Sequence, residues 1–216
     1  MNVEAVVFDL DGVIVDSEQV WDEVREAYAQ EVGGRYTDQA TRDMMGMSSP
    51  EWSRYMAETL AVPGTPDEIN AAIVGRMLER YGDAPPVIPG AVEAVRRIAA
   101  RVPLAIASSS NPELIDVVLR SSGLAGDFAA AVSSQEVPRG KPSPDVYLEA
   151  ARRLGVDAAR CGAVEDSHNG IRSAKAAGMR VVAVPNPHYP PDDEALALAD
   201  VVVASIGELQ LEHFAV

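Results

Sequence analysis

The stretch that decides the fold is Ala5-Val6-Val7-Phe8-Asp9-Leu10-Asp11-Gly12. Its apolar run ends abruptly at an aspartate, and a second aspartate and a glycine follow within a few residues. A short apolar run bounded by turn-forming residues is typical of a buried strand in a parallel sheet. The sequence therefore predicts a strand over residues 5–8 whose carboxyl end presents Asp9 and Asp11.

Further apolar runs of the same kind follow along the chain, at 103–107, 129–132, 162–164, 181–184 and 201–203. Helix signals separate several of them. The predicted helices begin near Asn111, Ser143 and Asp166 and end at Gly123, Gly155 and Gly178. Strands that alternate with helices in this way predict an α/β fold with a doubly wound, Rossmann-like parallel sheet.

Residues 16–88 interrupt this alternation, because they contain helical patterns and no convincing strand. Helices are predicted over 18–32, from Ser49 onward, and from Thr65 to Gly82. We therefore predict an all-helical cap domain, 16–88, inserted after the first strand of a catalytic core formed by 1–15 and 89–216. Such an insert would lie over the carboxyl ends of the strands, where open α/β sheets bind ligands.

Composition excludes several classes of function. The chain has 216 residues, of which 47% are hydrophobic, enough for one core with a smaller insert. The formal net charge of −15 argues against nucleic acid and anionic membranes as partners. No apolar run is long enough to span a bilayer, no signal peptide is evident, and Cys161 is the only cysteine. We expect a cytoplasmic protein with no obligate protein partner.

Polar clusters follow four of the predicted strands. They are Asp9 with Asp11, Ser108, the segment that holds Lys141, and Glu165 with Asp166. Because the carboxyl ends of parallel strands meet in one crevice, these clusters are expected to converge. Each cluster alone could have a structural or a functional role, so the prediction of an active site depends on their convergence.

The residue types in these clusters suit phosphoryl transfer. Two aspartates one residue apart can serve as nucleophile and general acid/base. Because carboxylates repel a phosphate, a cation must bridge them, and oxygen ligands such as those of Glu165 and Asp166 suit Mg²⁺. Lys141 supplies a fixed positive charge. Further donors for the phosphoryl oxygens are a hydroxyl and two backbone N–H groups, from Ser108, Gly12 and Ser109.

Each of these clusters also has a purely structural explanation. Strand ends commonly carry turn formers, and helix starts commonly carry capping side chains. The residues open to such roles are Asp9 and Asp11 as turn formers, Ser109, Ser110 and Asn111 as caps of one helix, Asp166 and Ser167 as caps of another, and Lys141 as a solvated turn residue.

The motifs, in order and spacing, resemble those of the haloacid dehalogenase superfamily of phosphatases. The matching stretches are Asp9-Leu10-Asp11-Gly12-Val13, Ser108, Gly140-Lys141-Pro142-Ser143-Pro144-Asp145 and Glu165-Asp166-Ser167-x-x-Gly170. The helical insert is similar to the cap of the β-phosphoglucomutase-like and phosphoglycolate-phosphatase-like branch. The resemblance covers nearly the whole chain.

This resemblance implies a role for each matched residue. Asp9 would be the nucleophile and a Mg²⁺ ligand, and Asp11 the acid/base and a ligand through its backbone carbonyl. Asp166 would be a metal ligand with Glu165 beside it, and Ser108 and Lys141 would bind the phosphoryl group. Asp11 argues against dehalogenation, because the dehalogenases lack this second aspartate.

The implied reaction is hydrolysis of a small phosphorylated metabolite, with a sugar phosphate as the first expectation. Compared with the mutase pattern, Trp21 replaces a histidine, Ser49 replaces the arginine that grips the distal phosphate, and the insert contains no lysine. A mutase must bind a bisphosphate at both ends, so these changes favour a phosphatase. A phosphomutase and a catalytically silent binding protein are the alternatives.

Trp21 has two possible roles. Its helical spacing with Val24 and Tyr28 favours burial between helices of the insert. Its position near the start of the insert, in place of a histidine that faces the substrate in the mutases, favours contact with the substrate.

Overall fold

The computed structural model describes residues 3–44, 47–82, 84–187 and 189–215. Six parallel strands form one sheet in the order β3-β2-β1-β4-β5-β6. Their bounds are β1 Ala5–Phe8, β2 Leu104–Ser108, β3 Ala130–Ser133, β4 Cys161–Glu165, β5 Arg180–Ala183 and β6 Val201–Val202. The predicted doubly wound parallel sheet is confirmed, and no strand end differs from the predicted one by more than one residue.

Helices connect the strands and cover both faces of the sheet. They are α1 Glu18–Glu31, α2 Asp38–Met44, α3 Ser49–Glu58, α4 Pro66–Tyr81, α5 Ala91–Ala99, α6 Pro112–Ser121, α7 Asp145–Leu154, α8 His168–Ala176 and α9 Asp193–Leu196. In the part of the chain that the structure describes, none of them has the length and apolarity needed to cross a membrane.

The core lies in two layers because side chains of a strand alternate between faces. In β1, Val6 and Phe8 join a hydrophobic cluster that includes α5 and α6, while Ala5 and Val7 join a second cluster with α7 and α8. Burial of β1 on both faces explains its continuous apolar run. The first strand is thus the centre of the sheet, and its carboxyl end is surrounded by those of β2 and β4.

Residues between β1 and α5 form the helical insert, which contains α1 to α4 and no named strand among its described residues. The two segments that connect the insert to the core lie side by side. The N–H of Asp16 donates to the carbonyl of Pro86 at 2.8 Å, and the N–H of Ile88 donates to that of Ile14 at 2.9 Å. The division into domains at 16–88 stays a prediction.

One helix of the insert, α2, was not predicted from the sequence. It spans only Asp38–Met44 and buries two side chains, Ala40 and Met44. A helical period is recognised over 11–18 residues, so a segment of two turns leaves too weak a pattern. The predicted starts at Ser49 and Thr65 are confirmed, with Pro at the first turn and a capping box in both α3 and α4.

The insert contacts the core where α6 begins. Asn111 precedes this helix but makes no side-chain capping bond. Its amide oxygen instead accepts a hydrogen bond from Ser49 of α3, and its amide nitrogen lies 3.4 Å from the Oδ1 of Asn70 of α4. The capping role that the sequence left open for Asn111 is therefore not adopted, and the insert lies over the carboxyl ends of the strands.

Candidate active site

A cavity lies between the carboxyl ends of the strands and the helical insert. Its core wall includes Asp9, Asp11, Ser109, Ser110, Lys141 and Asp166. Its insert wall includes Glu18, Trp21, Arg25 and Trp52. Residues of all four predicted clusters thus reach this cavity or lie directly behind it, as expected for the ends of neighbouring parallel strands.

Lys141 is the buried cation of the core wall. It is 4% exposed, and its Nζ donates to Asp9 Oδ1 at 2.8 Å and to Glu165 Oε1 at 2.6 Å. Burial alone would lower the pKa of Lys141, but the charges of Asp9 and Glu165 outweigh it and the pKa is raised. The ammonium group therefore stays charged, and it is not the solvated turn residue of the alternative interpretation.

Glu165 is fully buried and its carboxylate is occupied by hydrogen bonds. Oε1 accepts from Lys141 and, at 2.9 Å, from the hydroxyl of Tyr147. Oε2 accepts from the N–H groups of Asp166 and Ser167 and from the Ser167 hydroxyl, at 3.0, 3.1 and 3.0 Å. Burial would raise the pKa of Glu165, but the Lys141 charge prevails and the pKa is lowered. Tyr147 was not identified from the sequence.

Two glycines make room for these carboxylates. Gly12 has φ +77°, and a Cβ there would lie 1.9 Å from Asp166 Oδ2. A Cβ on Gly170 would lie 1.7 Å from Glu165 Oε1. Both distances are far below van der Waals contact, so any side chain at either position would displace a carboxylate of the site.

Asp9, Glu165 and Asp166 form a buried carboxylate cluster in which one oxygen of each lies within 4.8 Å of the others. No hydrogen bond among the described residues reaches the carboxylate of Asp166, although it is only 4% exposed. Burial raises the pKa of Asp166, and the charges of Glu165 and Asp9 raise it further. Burial likewise raises the pKa of Asp9, against the opposing effect of Lys141.

This cluster fits a hard divalent cation such as Mg²⁺, because it offers oxygen donors and an excess of buried negative charge. Asp166 and the oxygen of Asp9 that does not bond Lys141 are the donors best able to hold one. Glu165 belongs to the cluster, but its oxygens are taken by the hydrogen bonds described above. Its predicted role as a metal ligand stays a prediction.

Asp11 is held by side chains from both walls of the cavity. Oδ1 accepts from Ser17 at 2.6 Å and from the indole Nε1 of Trp21 at 3.4 Å. Oδ2 accepts from Ser110 at 2.7 Å and from Ser108 at 3.3 Å. The sequence did not identify Ser17, which precedes α1 and looks like an ordinary helix cap, although its side chain makes no capping bond.

The predicted phosphate-binding residues occupy different depths. Ser108 is the last residue of β2 and is fully buried, and its hydroxyl accepts from the N–H of Ser110 at 2.9 Å. Ser109 and Ser110 line the cavity itself. The Ser110 hydroxyl bonds Asp11 and makes no side-chain cap. The roles of Ser108, Ser109 and Gly12 in phosphate binding stay predictions.

Two aromatic side chains and one guanidinium lie in the insert wall beside Glu18. Trp21 and Trp52 are 5% and 1% exposed, and their ring centroids lie 5.9 Å apart. The guanidinium carbon of Arg25 lies 4.8 Å from the Trp21 ring and 5.1 Å from the Trp52 ring. Arg25 was not identified from the sequence. The available signal was its spacing, because a residue four positions after Trp21 shares its helix face.

The sequence of this chain matches a known protein family. A family model described as haloacid dehalogenase-like hydrolase matches residues 3–178. The chain belongs to the haloacid dehalogenase-like hydrolases. The sequence's prediction of an enzyme of this superfamily is therefore confirmed.

The relatives of this hydrolase include two proteins that are named as phosphatases. Hexitol phosphatase B of Escherichia coli K12 is 33% identical over 96% of this chain and 95% of its own length. The bifunctional riboflavin kinase/FMN phosphatase of Arabidopsis thaliana is 32% identical over 97% of this chain, which spans only 55% of that longer protein.

Solved structures resemble this hydrolase over its whole length. CbbY from Rhodobacter sphaeroides, in complex with phosphate, superposes with a TM-score of 0.87 at 25% identity, covering 99% of this chain and 100% of that one. β-Phosphoglucomutase from Clostridium difficile superposes with a TM-score of 0.82 at 23% identity, covering 98% and 95%. At this identity, the likeness to β-phosphoglucomutase shows a shared fold and no more. The relatives above and a putative β-phosphoglucomutase from Thermotoga maritima, which is 30% identical with a TM-score of 0.71 over 95% of both chains, confirm the predicted branch of the superfamily.

Proposed function

We propose that this hydrolase is a Mg²⁺-dependent phosphatase that cleaves a small phosphorylated metabolite through an aspartyl-phosphate on Asp9. The observation that carries the proposal is the separate anchoring of two neighbouring carboxylates. Asp9 is bonded to Lys141, whereas Asp11 is bonded to hydroxyl and indole donors. The two aspartates therefore have different environments at one cavity, as a nucleophile and a proton donor require.

The first step is attack by a carboxylate oxygen of Asp9 on the phosphorus of the substrate. The bond between phosphorus and the ester oxygen breaks, and the leaving alkoxide takes a proton from Asp11. Lys141 donates to Oδ1 of Asp9, the attacking oxygen, while the other oxygen is the one able to hold the metal ion. Lys141 thus orients the nucleophile and offsets negative charge as the phosphoryl group approaches.

The second step returns Asp9 to its carboxylate form. A water gives a proton to the carboxylate of Asp11 and attacks phosphorus, and the bond from phosphorus to Asp9 breaks. Inorganic phosphate is released. The hydroxyls of Ser17 and Ser110 hold the Asp11 carboxylate in one orientation for both proton transfers.

Asp9 and Asp166 would hold the metal ion, with the backbone carbonyl of Asp11 as the further ligand that the family resemblance implies. When bound, Mg²⁺ supplies positive charge that offsets the repulsion between the carboxylates and the substrate phosphate. Glu165 is proposed to act through Lys141, because the bonds from Tyr147 and from the start of α8 fix its carboxylate.

The proposal is tested by phosphate release and by trapping the intermediate. We expect release of phosphate from an aryl phosphate with Mg²⁺. Acid quenching with a radiolabelled substrate should leave label on the wild-type protein, removable by hydroxylamine, and none on Asp9→Asn. Turnover without any protein-bound label, under conditions that trap such intermediates in other phosphatases, would contradict the aspartyl-phosphate.

A phosphomutase remains the alternative within this branch. Ser49, which stands at the position of a phosphate-gripping arginine in the mutase pattern, is 1% exposed and bonded to Asn111, so it does not reach the cavity. This arrangement supports the phosphatase. Incubation with a sugar 1-phosphate decides between them, because a phosphatase yields free phosphate and a mutase yields an isomeric sugar phosphate.

A further inference from the structure

Arg25 is a buried cation on the insert wall of the cavity. It is 7% exposed and lies in α1, one turn after Trp21. Its Nε has no hydrogen-bond partner, and no ion pair or hydrogen bond joins its guanidinium to any residue that the structure describes. A guanidinium carries five donors, so the group is left with unused hydrogen-bonding capacity in a buried place.

The surroundings of Arg25 only partly offset its burial. The faces of Trp21 and Trp52 provide cation–π contacts at 4.8 and 5.1 Å. Burial lowers the pKa of Arg25, and the opposing effects of Tyr36, Glu18, Asp22 and Asp11 do not cancel it. A buried charge without a hydrogen-bonded counter-charge is unfavourable in a folded protein, so its presence calls for an anion from outside the chain.

The other cation of the cavity, Lys141, already has carboxylate partners. Lys141 forms two short ion pairs, with Asp9 and with Glu165, and belongs to the phosphoryl end of the site. Among the described residues that line the cavity, Arg25 is the cation without a carboxylate partner. A substrate whose phosphoryl group lies at Asp9 extends from the core wall toward the insert wall, where the guanidinium lies.

We propose that Arg25 binds a second anionic group of the substrate, a carboxylate or a second phosphate, at the end away from the phosphoryl group that Asp9 attacks. This inference rests on the proposed phosphatase and narrows its substrate class to metabolites with two anionic groups. Planar guanidinium groups pair with carboxylates and phosphates through two parallel hydrogen bonds. The rings of Trp21 and Trp52 lie beside the guanidinium carbon, at 4.8 and 5.1 Å, and none of its donors is bonded to a residue that the structure describes.

The test measures binding without turnover, in an Asp9→Asn background with Mg²⁺ present. The probes are two matched pairs, in which one member lacks the second anion: glycerol 3-phosphate against 3-phosphoglycerate, and fructose 6-phosphate against fructose 1,6-bisphosphate. Calorimetry gives the Kd of each. Arg25→Met keeps a long apolar side chain against the indoles and removes the charge, and Arg25→Lys keeps a point charge without the planar fork.

We expect Arg25→Met to weaken binding of the doubly anionic member of at least one pair by about 30-fold or more, while its matched partner stays within about threefold. Arg25→Lys should lie between wild type and Arg25→Met. The pair that responds tells whether the second anion is a carboxylate or a phosphate.

The matched control is Arg76→Met. Arg76 is also in the insert, and its guanidinium carbon lies 5.0 Å from the ring centroid of Tyr28. Unlike Arg25, it forms an ion pair, with Glu31, and does not line the cavity. It should leave all four affinities unchanged. Equal weakening of both members of each pair by Arg25→Met, or no weakening at all, would overturn the assignment. Because binding is measured without hydrolysis, a failed phosphatase assay would leave this result interpretable.

Discussion

The two walls of the cavity differ in how their charged groups are held. On the core wall, Lys141 has two carboxylate partners and Asp11 has four donors. On the insert wall, the guanidinium of Arg25 lies against two indole rings without a hydrogen-bonded partner among the described residues. Groups held by several bonds each, such as Lys141 and Asp11, suit a reaction common to many substrates, whereas an unsatisfied cation beside aromatic rings suits selection of one.

We therefore expect the core wall to carry out the reaction and the insert wall to select the substrate. Substitutions on the core wall should slow hydrolysis of every phosphate ester, because all of them present the same phosphoryl group to Asp9. Substitutions on the insert wall should change the ranking of substrates and spare a small generic ester. The expected effects below run from the largest to the smallest.

Asp9→Asn should have the largest effect, because the amide lacks the charge of the nucleophile. We expect kcat on an aryl phosphate to fall by at least about a thousandfold, or about 4 kcal/mol. The amide oxygen can still accept from Lys141, so the thermal midpoint should change little. Asp116→Asn, on the exposed face of α6, is the control. Near-normal turnover in Asp9→Asn would rule out the mechanism.

Removal of the metal tests the carboxylate cluster of the core wall. Because Asp9, Glu165 and Asp166 bring their carboxyl groups together in one buried cluster, the site without a cation should bind a phosphate poorly. We expect EDTA to reduce activity by at least about a hundredfold and Mg²⁺ to restore it, while Ca²⁺, with its longer and looser coordination, does not. Full activity in EDTA on every ester tested would show that the cluster needs no metal.

Lys141→Arg is a smaller change at the same wall. The Nζ of Lys141 bonds Asp9 and Glu165 in a buried site, and a planar guanidinium cannot reproduce this compact arrangement. We expect kcat/KM to fall by at least about tenfold, or about 1.4 kcal/mol, for all substrates. Lys175→Arg is the matched control, since Lys175 pairs with Asp200 near the surface. Equal activity of both variants would contradict the assigned role of Lys141.

Trp21→Ala should give the smallest effect on a generic ester, because it removes only the long indole bond to Asp11, whose carboxylate Ser17 and Ser110 still hold. We expect hydrolysis of an aryl phosphate to stay within about threefold while the preference among metabolites is reordered. Tyr28→Ala, a half-buried aromatic of the same helix, controls for lost stability. If the two variants lower the thermal midpoint alike and leave the ranking unchanged, Trp21 has a packing role only.

The first helix shows where sequence patterns fail. Apolar spacing predicted that Trp21, Val24 and Tyr28 share the buried face of α1. The structure buries Trp21, Arg25 and Ala29 and leaves Val24 and Tyr28 half-buried. A hydrophobic pattern counts a charged residue as exposed, so it cannot find an arginine whose charge faces two indoles. The same pattern missed α2, which is too short to show a period.

The sequence by itself determined the sheet and the chemistry of the core wall. Apolar runs, helix starts and motif spacing placed Asp9, Asp11, Lys141 and Asp166 at the ends of strands, because parallel strands end at one edge. Only the tertiary structure decided the partners of these groups and the character of the insert wall. Tyr147 and Arg25 contact residues of other elements, and Ser17 contacts Asp11 six residues before it; all three contacts depend on side-chain directions that a hydrophobic pattern does not record.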